Sequence, residues 1–151
     1  SRFYSNGAHI SNTTVDGPVR SLLAALEDAG LQPADIEYIN AHATSTAAGD
    51  ASEAKAIHEV FGSSRPYVSS TKSMTGHECW MAGASEIVYS MLMMQHGFIA
   101  PNINLDNPDE DAARLNIVTN TINKNFNIFL SNSFGFGGTN SSLIVRGWNG
   151  K

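Results

Sequence analysis

The 151-residue chain has only one cysteine, Cys79, so no internal disulfide can form, which agrees with a reducing, cytoplasmic setting. Basic residues are scarce as well. Nine Lys and Arg stand against fourteen Asp and Glu, a net charge of −5, and no run of Lys or Arg offers the stripe that neutralises a phosphate backbone. Nucleic acid is therefore not an expected partner. Long apolar runs are missing too: the longest, at 87–94, falls well short of the roughly 20 residues that span a bilayer. A soluble chain without membrane association is expected. Residues 1–6 carry neither a basic nor an apolar leader segment, so no signal peptide is visible. Cys79 has no second thiolate or close ligand pair to complete a zinc site, and no metal or cofactor is expected.

What is present suits one compact domain. Hydrophobic residues make up 42% of the chain, enough for a single sizeable core, and repeats, low-complexity tracts and linkers are lacking. Asp16-Gly17-Pro18 places a cap and an early proline before Val19, Leu22, Leu23 and Leu26, and Gly30 closes this amphipathic helix. Ile36-Glu37-Tyr38-Ile39-Asn40 predicts a strand. Asp50 and Glu53 predict a capping-box start to a second helix that runs through Ile57 and Phe61 to Gly62. A second strand-to-helix step follows, with Tyr67-Val68-Ser69-Ser70, then a helix from about Trp80 to Gln95. Strands are also predicted at Ile117-Val118, at Phe126-Asn127-Ile128-Phe129-Leu130 and at Ser142-Leu143-Ile144-Val145. Alternating strands and helices argue for an α/β layered domain with its site at the strand C-termini.

Three polar loops carry groups that a plain turn does not need. His42-Ala43-Thr44-Ser45-Thr46 offers an imidazole and three hydroxyls. Ser70-Thr71-Lys72-Ser73-Met74-Thr75-Gly76-His77 offers an ammonium and a second imidazole at a helix entrance. The stretch Ser131-Asn132-Ser133-Phe134-Gly135-Phe136-Gly137-Gly138-Thr139-Asn140 has glycines that allow positive φ and let backbone N–H groups approach an anion. Singly, each has a bland reading as a solvated histidine, a surface lysine or a hairpin turn.

Together, in this order and at this spacing, the three loops resemble those of the β-ketoacyl-[acyl carrier protein] synthases, condensing enzymes of the thiolase superfamily. The similarity covers nearly the whole chain and matches the C-terminal half of such an enzyme. It implies a thiolase-like α/β half-fold, with helices layered on a mixed five-stranded sheet as one half of an αβαβα sandwich. Residues 1–151 would form this domain, and the half that bears the nucleophile would lie outside the chain. The implied activity is fatty acid chain elongation by decarboxylative Claisen condensation of an acyl-enzyme with malonyl-[acyl carrier protein]. The implied partners are acyl carrier protein and, in the complete enzyme, a second copy as a homodimer.

By the same resemblance, His42 and His77 match the two catalytic histidines that stabilise the enolate left by decarboxylation. Lys72 matches the site lysine, and Glu86 an acidic residue that holds the network. The Phe136 amide matches an oxyanion donor, Phe134 and Phe136 line and gate the pocket boundary with Gly135 among their hinges, and Thr44 and Thr46 match threonines that bind the pantetheine arm. Alone, the chain is expected to be inactive. An alternative is a non-catalytic carrier-binding or chain-length partner, although retention of His42, Lys72 and His77 favours the enzyme.

Two departures from the family pattern stand out. Ala43 replaces the usual glycine after the first histidine, and alanine tolerates positive φ poorly. In Glu78-Cys79-Trp80-Met81, the last two residues add bulk near the acyl region, which bears on chain length. Cys79 is expected to be a small helix-packing residue rather than a nucleophile.

Overall fold

In the computed structural model, which describes residues 1–5 and 14–148, the first helix forms where proline's fixed φ suits an opening turn. This helix, α1 (Asp16–Ala29), ends at Gly30, whose left-handed φ of 64° lets its N–H return to the Glu27 carbonyl. After β2 (Tyr38–Asn40), helix α2 (Ala47–Phe61) begins three residues ahead of the expected Asp50 start. The alanines of the first turn extend it, and the capping box is not formed. The Asp50 carboxylate instead accepts the Ser45 N–H at 3.1 Å, and Glu53 is buried.

Strand β3 (Tyr67–Ser69) leads into a four-residue helix, α3 (Lys72–Thr75), that was not expected. The long third helix starts at Ala82 rather than Trp80, as α4 (Ala82–His96). Cys79 and Trp80 lie in a separate 3₁₀ turn before it, so the helix-packing role expected of Cys79 is wrong; its side chain is exposed. Two-residue strands β4 (Phe98–Ile99) and β6 (Ile122–Asn123) pair with each other, and β5 (Asn116–Ile117) lies between them in sequence. The expected 131–140 loop is largely strand. β7 (Ile128–Gly135) and β8 (Thr139–Arg146) form a hairpin whose turn is Phe136-Gly137-Gly138.

The main sheet is mixed, as expected, but among the described residues it has six strands rather than five, in the order β1-β8-β7-β2-β3-β5. The extra member is β1 (Arg2–Ser5), an edge strand antiparallel to β8 whose four residues are too few to show a pattern by themselves. Strands β7, β2 and β3 are parallel neighbours, and Asn40 at the end of β2 lies opposite Ser131 on one side and Ser69 on the other. All three strands therefore deliver their following segments to the same edge.

Side-chain alternation gives the sheet a core on each face. Ile39, Val68 and Leu130 pack with Leu22 and Leu26 of α1 and Ile57 and Phe61 of α2. Tyr38 and Phe129 pack on the other face with Met93 of α4 and with Ile99, Val118 and Phe126. Fully burying a side chain such as Phe61 or Phe129 contributes about 1.5–3 kcal/mol.

The outer side of α4 is also apolar but is left exposed at Val88, Met91 and Leu92, each between 45% and 53% accessible. A helix apolar on all sides is normally covered. The chain on its own is expected to self-associate at micromolar concentration, and Met91→Lys with Leu92→Glu to return it toward monomer. A wild-type chain that sediments as a monomer would contradict this.

Candidate active site

Three parallel strands ending level bring the three sequence loops together. β2 delivers His42, β3 delivers Lys72 and His77, and β7 delivers Phe134. The His42 and His77 rings meet edge to face with centroids 5.5 Å apart, and the Phe134 ring lies 6.0 Å from His42. These groups line a cleft of about 370 Å³ together with Thr44, Thr46, Gly135 and Phe136.

The His42 loop is held by a residue that sequence reasoning did not assign to the site. Glu53 is 4% exposed, and its two carboxylate oxygens accept the backbone N–H groups of His42 at 2.9 Å and Ala43 at 2.8 Å. Asn132 donates a third hydrogen bond to the same carboxylate at 3.0 Å. Ala43 does take a positive φ, 27°, and Ser45 follows at 64°. Such conformations cost on the order of 1–2 kcal/mol for residues with a Cβ. Charge-assisted bonds from the two amides offset that cost. The clue available in sequence was an acidic residue one turn inside a helix that follows a histidine loop. It was assigned to a cap because depth of burial is not written in local sequence.

Burial drives the electrostatics of this loop. Desolvation, followed by the charges of Lys72 and His77, lowers the His42 pKa to about 3, so the ring is neutral throughout the ordinary pH range. Its Nδ1 is buried without a hydrogen-bond partner among the described residues. His77 is exposed, and its Nδ1 accepts the Cys79 N–H at 3.0 Å, so the neutral ring carries its proton on Nε2. Cys79 reaches that geometry at φ 51°, and the loop is pinned from behind by the Tyr89 hydroxyl, which donates to Glu78 at 2.9 Å.

Lys72 and Glu86 form a buried ion pair behind the histidines, with side chains 5% and 3% accessible. Burial pushes the Glu86 carboxyl up, and the Lys72 ammonium offsets only part of that shift. Glu86 is therefore not a solvated surface glutamate. At the cleft mouth, the hydroxyls of Thr44 and Thr46 are 3.3 Å apart. Phe136 sits exposed at the hairpin turn, and the left-handed residues there are Gly137 and Gly138, not Gly135. Trp80 and Met81 are also exposed. Among the described residues, no group of three or more His, Cys, Asp or Glu could hold a metal ion.

Two measurements test this geometry. The His42 imidazole should show no titration between about pH 5 and 8 by NMR; a midpoint near the usual 6.5 would contradict its dry environment. Glu53→Ala should cost on the order of 3 kcal/mol in denaturant unfolding, because it leaves three N–H donors without their acceptor. A loss below about 0.5 kcal/mol, typical of a surface change, would show that the carboxylate does not hold the loop.

The family model described as "Beta-ketoacyl synthase, C-terminal domain" matches residues 2–106. The 3-oxoacyl-[acyl-carrier-protein] synthase 1 of Escherichia coli (strain K12) is 48% identical over 142 residues, covering 94% of this chain and 34% of that protein. Among solved structures, the ishigamide ketosynthase/chain length factor superposes with a TM-score of 0.93 at 35% identity, covering 97% of this chain and 36% of that one. A complex of a type II PKS acyl-carrier protein with its ketosynthase gives 0.91 at 33% identity, covering 97% and 37%. The chain spans about a third of the length of the curated relatives it matches. With the fold, the loop order and the family model in agreement, the chain belongs to the β-ketoacyl synthase C-terminal domain family.

Proposed function

We propose that the chain is the C-terminal, histidine-bearing domain of a β-ketoacyl-[acyl carrier protein] synthase. In this reading residues 1–151 form one domain, and a separate N-terminal half supplies the cysteine nucleophile. The complete enzyme works as a cytoplasmic homodimer that elongates fatty acyl chains on acyl carrier protein. The observation that carries the reading is the neutral, half-buried His42 ring held 5.5 Å from His77 at the wall of a cleft.

Decarboxylation of malonyl-[acyl carrier protein] breaks the bond to the carboxylate carbon, releases CO₂ and leaves the electron pair on the thioester enolate. Two neutral N–H donors stabilise that oxygen as its charge develops and do so best in a dry site. A protonated ring would also bind the malonate carboxylate in the ground state and so gain less for the transition state. The carbanion then attacks the acyl-cysteine thioester, forming the new C–C bond and releasing the cysteine as thiolate. The buried Lys72–Glu86 pair supports this pair of rings from behind, Lys72 favouring the neutral state of His42. The Phe136 amide serves the oxyanion of that second step, and Phe134 with Phe136 gates the cleft on the hairpin turn. Thr44 and Thr46 hydrogen-bond the pantetheine arm at the cleft mouth.

A second reading is a non-catalytic chain-length partner, since one solved neighbour pairs a ketosynthase with a chain length factor. The decisive assay is malonyl-[acyl carrier protein] decarboxylation by the full-length protein, alongside condensation with an acyl primer. His42→Ala and His77→Ala are each expected to lower decarboxylation by about 10²–10³, the usual loss on removing one oxyanion donor. Unchanged turnover in the variants, or none in folded wild type, would favour the partner reading.

A further inference from the structure

Behind the Glu53 carboxylate runs a line of polar side chains that crosses the sheet to the first helix. Asn132 of β7 and Ser142 of β8 are directly opposite partners in the antiparallel ladder. The Ser142 hydroxyl donates to Asn132 Oδ1 at 2.9 Å, and Asn132 Nδ2 donates to Glu53 Oε1 at 3.0 Å. On the far side, the Ser21 hydroxyl of α1 donates to Ser142 Oγ at 3.0 Å. Ser21, Asn132 and Ser142 have no solvent exposure. Burying three polar groups costs free energy that small apolar residues of similar size would not, so packing alone does not account for them.

The direction of the bonds is the informative feature. An asparagine amide has an acceptor end and a donor end, and only the donor end can face a carboxylate without repulsion. Ser142 decides which end that is, because its proton on Oδ1 turns Nδ2 toward Glu53. Ser21 decides where that proton goes, because it occupies an acceptor site on Ser142 and leaves the Ser142 proton free for Asn132. Every donor in the line points at Glu53, whose oxygens also hold the amides of His42 and Ala43.

We propose that Ser21, Ser142 and Asn132 form a directional relay that fixes Glu53 and so positions the His42 ring; this rests on the synthase reading above. These are positioning residues, since none lines the cleft. The relay keeps the loop in its positive-φ form without adding a charge close to the histidines.

The test uses the full-length protein, with malonyl-[acyl carrier protein] decarboxylation and thermal melting measured together. Ser142→Ala should lower kcat about tenfold, with KM within about twofold, the signature of a group that is not a substrate contact. Ser142→Thr, which keeps the hydroxyl, should recover most of the rate. Wild-type kcat in a folded Ser142→Ala protein overturns the relay, as does a loss that Ser142→Thr does not recover, since that pattern reports packing. Should Ser142→Ala fail to fold, Ser21→Ala removes only the outermost donor, and a fall of about two- to threefold is expected; wild-type kcat there overturns the proposal equally. Inactive wild type would sink the synthase reading alone. The relay is then judged from crystal structures, where a His42 ring unmoved by a folded Ser142→Ala or Ser21→Ala substitution overturns it and a displaced ring supports it.

Discussion

A carboxylate removed from water has to find its hydrogen bonds inside the protein, and the candidate site is organised around that requirement at Glu53. Burial pushes its carboxyl up, and the Ala43, His42 and Asn132 donors stabilise the ionised form against that pressure. Two of the three are consecutive backbone amides. Satisfying Glu53 therefore dictates the path of the chain at the end of β2, including the unfavourable φ of Ala43. A loop this constrained presents His42 in one orientation, which a loop stabilised only by solvent would not.

The second buried pair, Lys72 with Glu86, has a different effect. Both groups lie behind the rings, and their charges are compensated mainly by each other. The ammonium adds to desolvation in keeping His42 neutral, while Glu86 keeps that positive charge inside the fold. A buried ion pair is weak evidence for stability, because desolvation consumes much of the Coulombic gain. Here its value lies in the field it sets at His42. The two carboxylates, Glu53 and Glu86, thus divide the work: one shapes the backbone and the other anchors the charge.

Sheet topology is what allows these local devices to meet. Strands β7, β2 and β3 are parallel neighbours in level register, so segments remote in sequence arrive at one edge. The helices α1 and α2 on one face and α4 on the other supply the cores that hold this register. The apolar outer side of α4 is left uncovered at Val88, Met91 and Leu92.

Sequence by itself determined the alternation of strands and helices, the three loops and the residue types in them, because those depend on periodicity, caps and short-range turn chemistry. His42, Lys72, His77 and Glu86 could be singled out as candidates through the resemblance to a family, and the fold brings them to one region. Local pattern failed where a residue's role depends on what lies across the sheet. Glu53 looked like a cap, and the 131–140 stretch looked like a loop because its serines and glycines hide a hairpin whose inward polar groups find partners on other elements. Edge strand β1 had too few residues to signal itself. The tertiary structure alone decided which carboxylate faces which amide, which His77 nitrogen keeps its proton and how far His42 is dried, since each is set by distances between segments remote in sequence.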